Sequence, residues 1–229
     1  MLRKQIHRDI KSYGLTKGKL LTRTFECAIL CIERRGILVI SIEKRLGDIA
    51  EIIAGVPGFA DKGKYKYKVV QPNSFTDTGT MNAVETQKRG DEISERQLLT
   101  SGDILVKRLN PSFVHVVTLE SAGMAVSQNL LVVRPGNEVD PYYLGYLLEQ
   151  KEILGQVEHV TGSAAAIKAI SIKKLADIMV PIIPLTDQCK VGEVWKLSRK
   201  RKQLLNDYMA ESDRLVSMLA SRIISGGGK

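Results

Sequence analysis

Residues 178–188 read Ile178-Met179-Val180-Pro181-Ile182-Ile183-Pro184-Leu185-Thr186-Asp187-Gln188, and the chain then runs almost without helix breakers to Ile224. This hand-over decides the fold. The two prolines end the apolar segment, because proline donates no backbone N–H and clashes with a preceding helical turn. Thr186 or Asp187 can cap the structure that follows, a side-chain oxygen accepting from a first-turn N–H. Val191, Val194, Leu197, Leu204, Tyr208, Leu215, Leu219 and Ile223 recur at mixed three- and four-residue steps, the spacing of a helix-pairing seam. Arg201 and Glu211 fall on the same stripe. The seam is therefore imperfect, and suits an antiparallel pair or a bundle at least as well as a parallel dimer. A helix over 186–224 is too long and too isolated for ordinary core packing. It reads as a spacer or pairing arm, with 225–229 as a flexible tail.

Working back, residues 46–185 read as a mixed α/β body. Leu46 to Ile53 is a short strand or a turn plus strand, closed by Ala54-Gly55, and the Val56-Pro57-Gly58 region is a loop. Lys64-Tyr65-Lys66-Tyr67-Lys68-Val69-Val70 alternates strictly, which predicts a strand with lysines on one face and aromatics on the other. Residues 73–81 are turn-rich. Ser101-Gly102-Asp103 is a turn before a strand at Ile104-Leu105-Val106, and two more strands are predicted over 114–119 and 130–134. Asp140 as cap and Pro141 at the first position open a helix through Leu148. Residues 170–181 repeat the strand theme. The first 45 residues form a leader of uncertain role, with helical spacing over 20–33 and an extended, β-branched run at 37–42.

The chain has 229 residues, 44% of them hydrophobic, which suits a folded domain with an appendage. The formal charge of +9 favours a polyanionic partner, of which nucleic acid is the commonest, over an anionic membrane surface or a merely basic protein. Cys27, Cys31 and Cys189 are too few for a disulfide framework and complete no zinc pattern. A helix would place Cys27 and Cys31 on one face, as buried thiols. The basic N-terminus leads into no apolar run of signal-peptide length, and charges interrupt 28–42. A soluble, cytoplasmic protein is expected. His7, His115 and His159 are scattered, no metalloprotease, nucleophile-elbow or phosphate-loop motif occurs, and no paired carboxylates suggest acid–base work. No catalytic residues and no metal site are expected.

Charge and turn chemistry nominate the contacts to a polyanion. Lys62, Lys64, Lys66 and Lys68 can meet backbone phosphates, or serve as a solvated edge that blocks aggregation. Lys88, Arg89, Lys107 and Arg108 are phosphate or guanine candidates, with ordinary surface charge as the alternative. Gln71, Asn73 and Ser74 can read base edges or simply build a turn. Ser163 and Lys168 lie where a loop enters a helical turn, a geometry that binds phosphate or merely caps the helix. The basic run Arg199-Lys200-Arg201-Lys202 reads as a solvated or partner-facing stretch of the long helix.

An ordered series of landmarks resembles half of a type I restriction–modification specificity (S) subunit. It runs from Leu46-Gly47-Asp48-Ile49-Ala50-Glu51-Ile52-Ile53-Ala54-Gly55, through Ser101-Gly102-Asp103-Ile104-Leu105-Val106 and Val126-Ser127-Gln128-Asn129-Leu130, to Val133-Arg134-Pro135, Tyr142-Tyr143-Leu144 and Gly162-Ser163. Leu175-Ala176-Asp177-Ile178-Met179-Val180-Pro181 closes it, with Gln188 leading into the helix. The resemblance implies an α+β fold: a globular target recognition domain over 46–185, then a long C-terminal helix that pairs as an antiparallel coiled coil. It implies sequence-specific binding of one half of a bipartite duplex DNA target. It also implies a homodimer or pairing with a second half-subunit, through the apolar seam named above. The implied partners are double-stranded DNA and DNA methyltransferase subunits, with a restriction subunit in complexes that cleave. No cofactor is implied on this chain; S-adenosylmethionine belongs to the methyltransferase. An alternative reading is a protein-interaction adaptor with a dimerising helix and no DNA requirement.

Overall fold

Ile104-Leu105-Val106 and Leu130-Leu131-Val132-Val133 lack the polar alternation of a half-exposed strand, and the computed structural model gives the reason: both of their faces are buried. The structure describes residues 28–34, 37–59, 63–76, 79–82, 87–109, 113–158 and 170–226. The central sheet has the order β3-β9-β6-β7, with β3 at Ala50–Ala54, β6 at Ile104–Lys107, β7 at Val114–Val116 and β9 at Leu130–Pro135. All its pairings are antiparallel. Ile104, Val106, Leu131 and Val133 face one hydrophobic cluster, and Leu105, Leu130 and Val132 face another.

Helices cover the first face. Helix α2 (Pro141–Glu149) lays Tyr143, Leu144, Leu147 and Leu148 on it, and its start is fixed as read from sequence, Asp140 Oδ1 accepting from the Tyr143 N–H at 2.8 Å. The second face is covered by Val70, Phe75, Leu99, Phe113, Val117 and Val126. Two of these belong to a small sheet of order β5-β4-β8, with β4 at Tyr65–Val70, β5 at Gln87–Gly90 and β8 at Ala125–Val126. One polar device crosses this layer. Asp103, 1% exposed, takes a two-pronged bond from Arg134 Nε and Nη2 at 2.8 Å each, and its Oδ2 also accepts the Thr100 N–H. Arg134 Nη2 donates onward to Leu98 O. The pair satisfies a carboxylate that burial would otherwise make costly, and it ties the 98–103 turn to β9.

The structure corrects the reading of the first 45 residues. Ala28–Arg34 is a strand (β1) rather than the end of a helix, so Cys31 sits on a strand; Cys27 lies outside the described residues. It pairs antiparallel with β2, Ile37–Arg45, in a local hairpin. The other edge of β2 pairs with β10, Met179–Ile182, so the extended run assigned to a leader is woven into the fold. The chain then turns through α1, Leu46–Ile49, where the Leu46 N–H donates to Ile178 O at 2.8 Å. Of the strand theme over 170–181 only β10 survives. Ile172–Ala176 is a short helix, α4, because Ser171 Oγ accepts from the Lys174 N–H and offers the chain a cap. Helix α3, Lys151–Glu158, is pinned to β10 by Gln156, whose amide both donates to Met179 O and accepts its N–H.

The long helix α5 spans Leu185–Gly226, starting immediately after Pro184, so Thr186 and Asp187 lie in its first turn rather than at its cap. Its first four turns are part of the domain. Gln188, 1% exposed, takes the Asp140 N–H on Oε1 and donates from Nε2 to Ile183 O and Glu138 O. Gly192 lies so close to Asp140 and Tyr142 that a Cβ would sit 2.5 Å from Asp140 Oδ1. Trp195 packs on Gly145 and donates from its indole to Glu149 at 2.7 Å, and Arg199 pairs with the same carboxylate while lying over the indole ring. Beyond Lys200 every described side chain to Ser225 is exposed.

Replacement of Gln188 by alanine strands the Asp140 N–H and two carbonyls in the joint, and is expected to cost about 3 kcal/mol. Urea unfolding followed by the fluorescence of Trp195, the chain's one tryptophan, reads this directly. His115 supplies a second test. Burial, opposed by its backbone bond to Gly79 and assisted by nearby Arg199, lowers its pKa from 6.5 to about 4. The unfolded chain therefore binds a proton below pH 6.5 that the folded chain refuses until about pH 4. Stability present above pH 6.5 should fall, by about 2–3 kcal/mol from this group, as pH drops through that window. Thermal melts across the window should show the loss, and His115→Gln should flatten it.

Candidate nucleic-acid interface

The strict alternation of Lys64 to Val70 does form a strand, and pairing converts it into a two-stranded basic ribbon. β4 and β5 are antiparallel with Lys66 opposite Arg89, Tyr67 opposite Lys88 and Lys68 opposite Gln87. Directly opposed residues share a face. Lys66, Lys68, Gln87 and Arg89 thus share one face of the ribbon, all exposed, with exposed Lys64 just before it. The other face carries Tyr65, Tyr67 and Lys88. Tyr67 packs edge-on against Phe59 with ring centroids 6.1 Å apart, and its hydroxyl accepts from the Ile93 N–H at 3.1 Å. The aromatics anchor the ribbon and leave the cations in solvent. Two cations directly opposite one another repel, so this register costs stability in the free chain. It gains when an anion sits between them.

The ribbon root is held close to the central sheet. Val69 and Val70 pair in parallel with Ala125 and Val126, and the Ser127 N–H donates to Val70 O. Gly55 touches this junction so tightly that a Cβ would fall 2.0 Å from Ser127 O, which only glycine permits. Beneath the junction opens a polar cleft of about 240 Å³ lined by Val56, Gly58, Phe59, Gln71, Pro72, Lys88, Ser127, Gln128 and Asn129. Ser127 Oγ is buried with no hydrogen-bond partner among the described residues. Asn129 accepts the Arg108 N–H on its carbonyl at 3.0 Å, so Arg108 borders the same turn.

The structure thus gathers much of the nominated set. Lys64, Lys66, Lys68 and Arg89 share the ribbon face, Gln71 and Lys88 line the cleft, half-buried Lys107 ends β6, and exposed Arg108 follows it, bonded to the turn that carries Asn129. Ser74 is engaged in turn chemistry, its hydroxyl accepting the Gln71 N–H at 3.1 Å, while Asn73 beside it is exposed. Lys62, Ser163 and Lys168 lie outside the described residues. Gln87, Gln128 and Asn129 were not nominated from sequence. Amides in a strand-connecting turn are the signal that marks the last two. Among the described residues no group of His, Cys, Asp and Glu is placed to hold a metal, and no helix is long and apolar enough to cross a membrane.

The apolar seam of α5 is open along the free part of the rod. Leu204 is 59% exposed, Tyr208 74%, Leu215 54% and Ile223 75%, and Leu197 and Leu219 are similarly bare. Nearer the domain, Val191 is half-buried and Val194 exposed, and both border an apolar notch with Tyr146 and Trp195. Apolar surface of this extent on a single helix marks an interaction face.

No protein-family model matches the chain. In sequence it is 26% identical to a protein of Methanocaldococcus jannaschii named as a type I restriction enzyme MjaX specificity subunit, over 66% of this chain and 37% of that protein. In fold it is similar to the HsdS subunit of Thermoanaerobacter tengcongensis, with a TM-score of 0.54 at 16% identity, over 77% of this chain and 46% of that one. The type I restriction–modification S subunit of M. genitalium aligns with a TM-score of 0.54 at 15% identity, over 82% and 46% of the two chains. A chain from a structural study of the assembly and conformational transition of the type I system aligns at 0.59 and 18% identity, over 80% and 48%. The chain therefore spans about half the length of the solved subunits it matches, and its α+β fold with a long C-terminal helix is that of one half of a type I specificity subunit.

Proposed function

We propose that this chain is the DNA-reading, non-catalytic part of a cytoplasmic type I restriction–modification complex. Its domain binds one half of a bipartite duplex target, and α5 pairs antiparallel with the helix of a second copy or another half-subunit. The observation that carries the DNA contact is the basic ribbon, where Lys66 faces Arg89 and Lys64 and Lys68 flank them. A polyanion relieves that repulsion, and released counterions supply the binding free energy. The cleft behind the ribbon offers Gln71, Gln128 and Asn129, side chains suited to base edges, where the cations are suited to phosphates. Methyltransferase subunits carrying S-adenosylmethionine dock on the assembly, joined by a restriction subunit where the complex also cleaves. The distal half of α5 supports a multi-helix assembly. Leu205, Met209 and Val216 are exposed apolar residues beside the seam and widen it, more than one partner helix needs.

The test is a salt titration of duplex binding by the assembled complex. Lys66→Ala with Arg89→Ala should weaken binding to all sequences alike and lower the slope of log K against log salt by about 2. Asn129→Ala or Gln128→Ala should leave the slope unchanged and relax discrimination between targets by about 1–3 kcal/mol. An assembled complex that binds DNA with no salt dependence, or that ignores the ribbon substitutions, refutes the assignment.

A further inference from the structure

Read at alternating three- and four-residue steps, one seam of α5 runs Val194, Leu197, Arg201, Leu204, Tyr208, Glu211, Leu215, Met218. All eight side chains are exposed. At the helical step of 100° they lie roughly opposite the face on which Gln188, Gly192, Trp195 and Arg199 meet the domain. The seam is therefore presented outward, away from the chain's own globule, and it is apolar except at Arg201 and Glu211.

Those two interruptions are complementary. We propose that a second copy of this chain packs antiparallel on this seam, with Arg201 of each copy against Glu211 of the other, and that this pair fixes the register. The inference rests on the pairing proposed above and goes further, in naming the partner as identical and the alignment as unique. With Arg201 against Glu211, the other six of these eight positions pair apolar with apolar: Val194 meets Met218, Leu197 meets Leu215, and Leu204 meets Tyr208; one step further out, exposed Lys190 and Arg222 face each other at the ends of the overlap, in solvent. The two-fold axis makes each layer occur twice.

Alternative alignments leave charges stranded. A slide of one heptad in one direction sets Arg201 against Met218, Leu197 against Arg222 and Glu211 against Tyr208. A slide in the other sets Arg201 against Leu204 and Glu211 against Val194, and shortens the overlap. A parallel dimer in register sets Arg201 against Arg201 and Glu211 against Glu211. A desolvated charge without a counterion is strongly unfavourable, whereas the matched pair is tolerated and selects one arrangement. The Arg214 contact to Glu211 at 3.3 Å is an exposed i,i+3 pair of the kind that contributes little, so it does not hold Glu211 back.

Sedimentation equilibrium of the full chain reads the proposal. Arg201→Glu alone or Glu211→Arg alone places like charges in two symmetry-related layers, and each should raise the dimer dissociation constant about a hundredfold. The double variant Arg201→Glu/Glu211→Arg should return it to within about tenfold of the parent. Circular dichroism and domain melting should be unchanged, since both residues are exposed on the free part of the rod. Independently, in a background with Cys27, Cys31 and Cys189 replaced by serine, Leu205→Cys lies beside the two-fold axis and should be joined by a short bis-thiol cross-linker, whereas Leu197→Cys should not. A monomeric chain, single variants without effect, a double variant that fails to recover, or cross-linking at Leu197→Cys overturns the inference. No DNA or methyltransferase enters these assays, so a failure of DNA recognition leaves their outcome untouched. A chain that reads DNA but pairs otherwise overturns this register alone.

Discussion

The joint at Gln188 is the constraint on which the rest depends. One buried amide closes three backbone hydrogen bonds, to Asp140, Glu138 and Ile183, and so ties the start of α5 to the turn before α2 and to the chain leaving β10. A buried amide left unsatisfied is expensive, so the joint has one geometry and not a range of them. Gly192 and Gly145 extend that rigidity by letting α5 approach Asp140, Tyr142 and α2 at distances no larger residue allows. Trp195 and Arg199 then lock on the single carboxylate of Glu149. A domain on a flexible tether has no fixed direction relative to its helix; one held by this joint has.

The domain behind the joint is stiff for a related reason. Its central sheet is buried on both faces, so a shift in register of β6 or β9 would disturb two cores at once. The Asp103–Arg134 pair reaches from β9 to the turn carrying Leu98 and Thr100, and Leu98 in turn bridges to Ala125 of β8. The basic ribbon is thereby referenced to the central sheet, and the sheet to the rod. The ribbon's repulsive cation pair is held open by Tyr67, whose ring and hydroxyl are both engaged behind it.

Much of this was written locally in the chain. The lysine–tyrosine alternation of β4, the Asp140-Pro141 start of α2 and the unbroken run of α5 each follow from neighbours a few residues away, and each formed as read. The errors fall where distant contacts decide. Ala28 to Glu33 carries helical spacing, yet forms a strand because the β-branched run from Ile37 pairs with it, and β10 then pairs on the far edge. Ile172–Ala176 reads as strand beside Met179–Ile182, but Ser171 caps a helical turn first. At the site, the cations were legible as a list, while the opposition of Lys66 to Arg89 depends on a pairing across some twenty residues of intervening chain. Gln128 and Asn129 gave no charge signal and become meaningful only once the Val56–Ser127 bridge forms the wall of the cleft.

The position of Trp195 on the rod carries a geometric consequence. In the antiparallel alignment set by Arg201 and Glu211 the symmetry axis crosses α5 near residue 206, and at a rise of 1.5 Å per residue the two indole anchors stand about 33 Å apart along the rod. One turn of B-form duplex advances by nearly the same length. In the proposed dimer the two points at which domains join the rod are thus about one duplex turn apart, so the pairing register itself sets the phase between the domains.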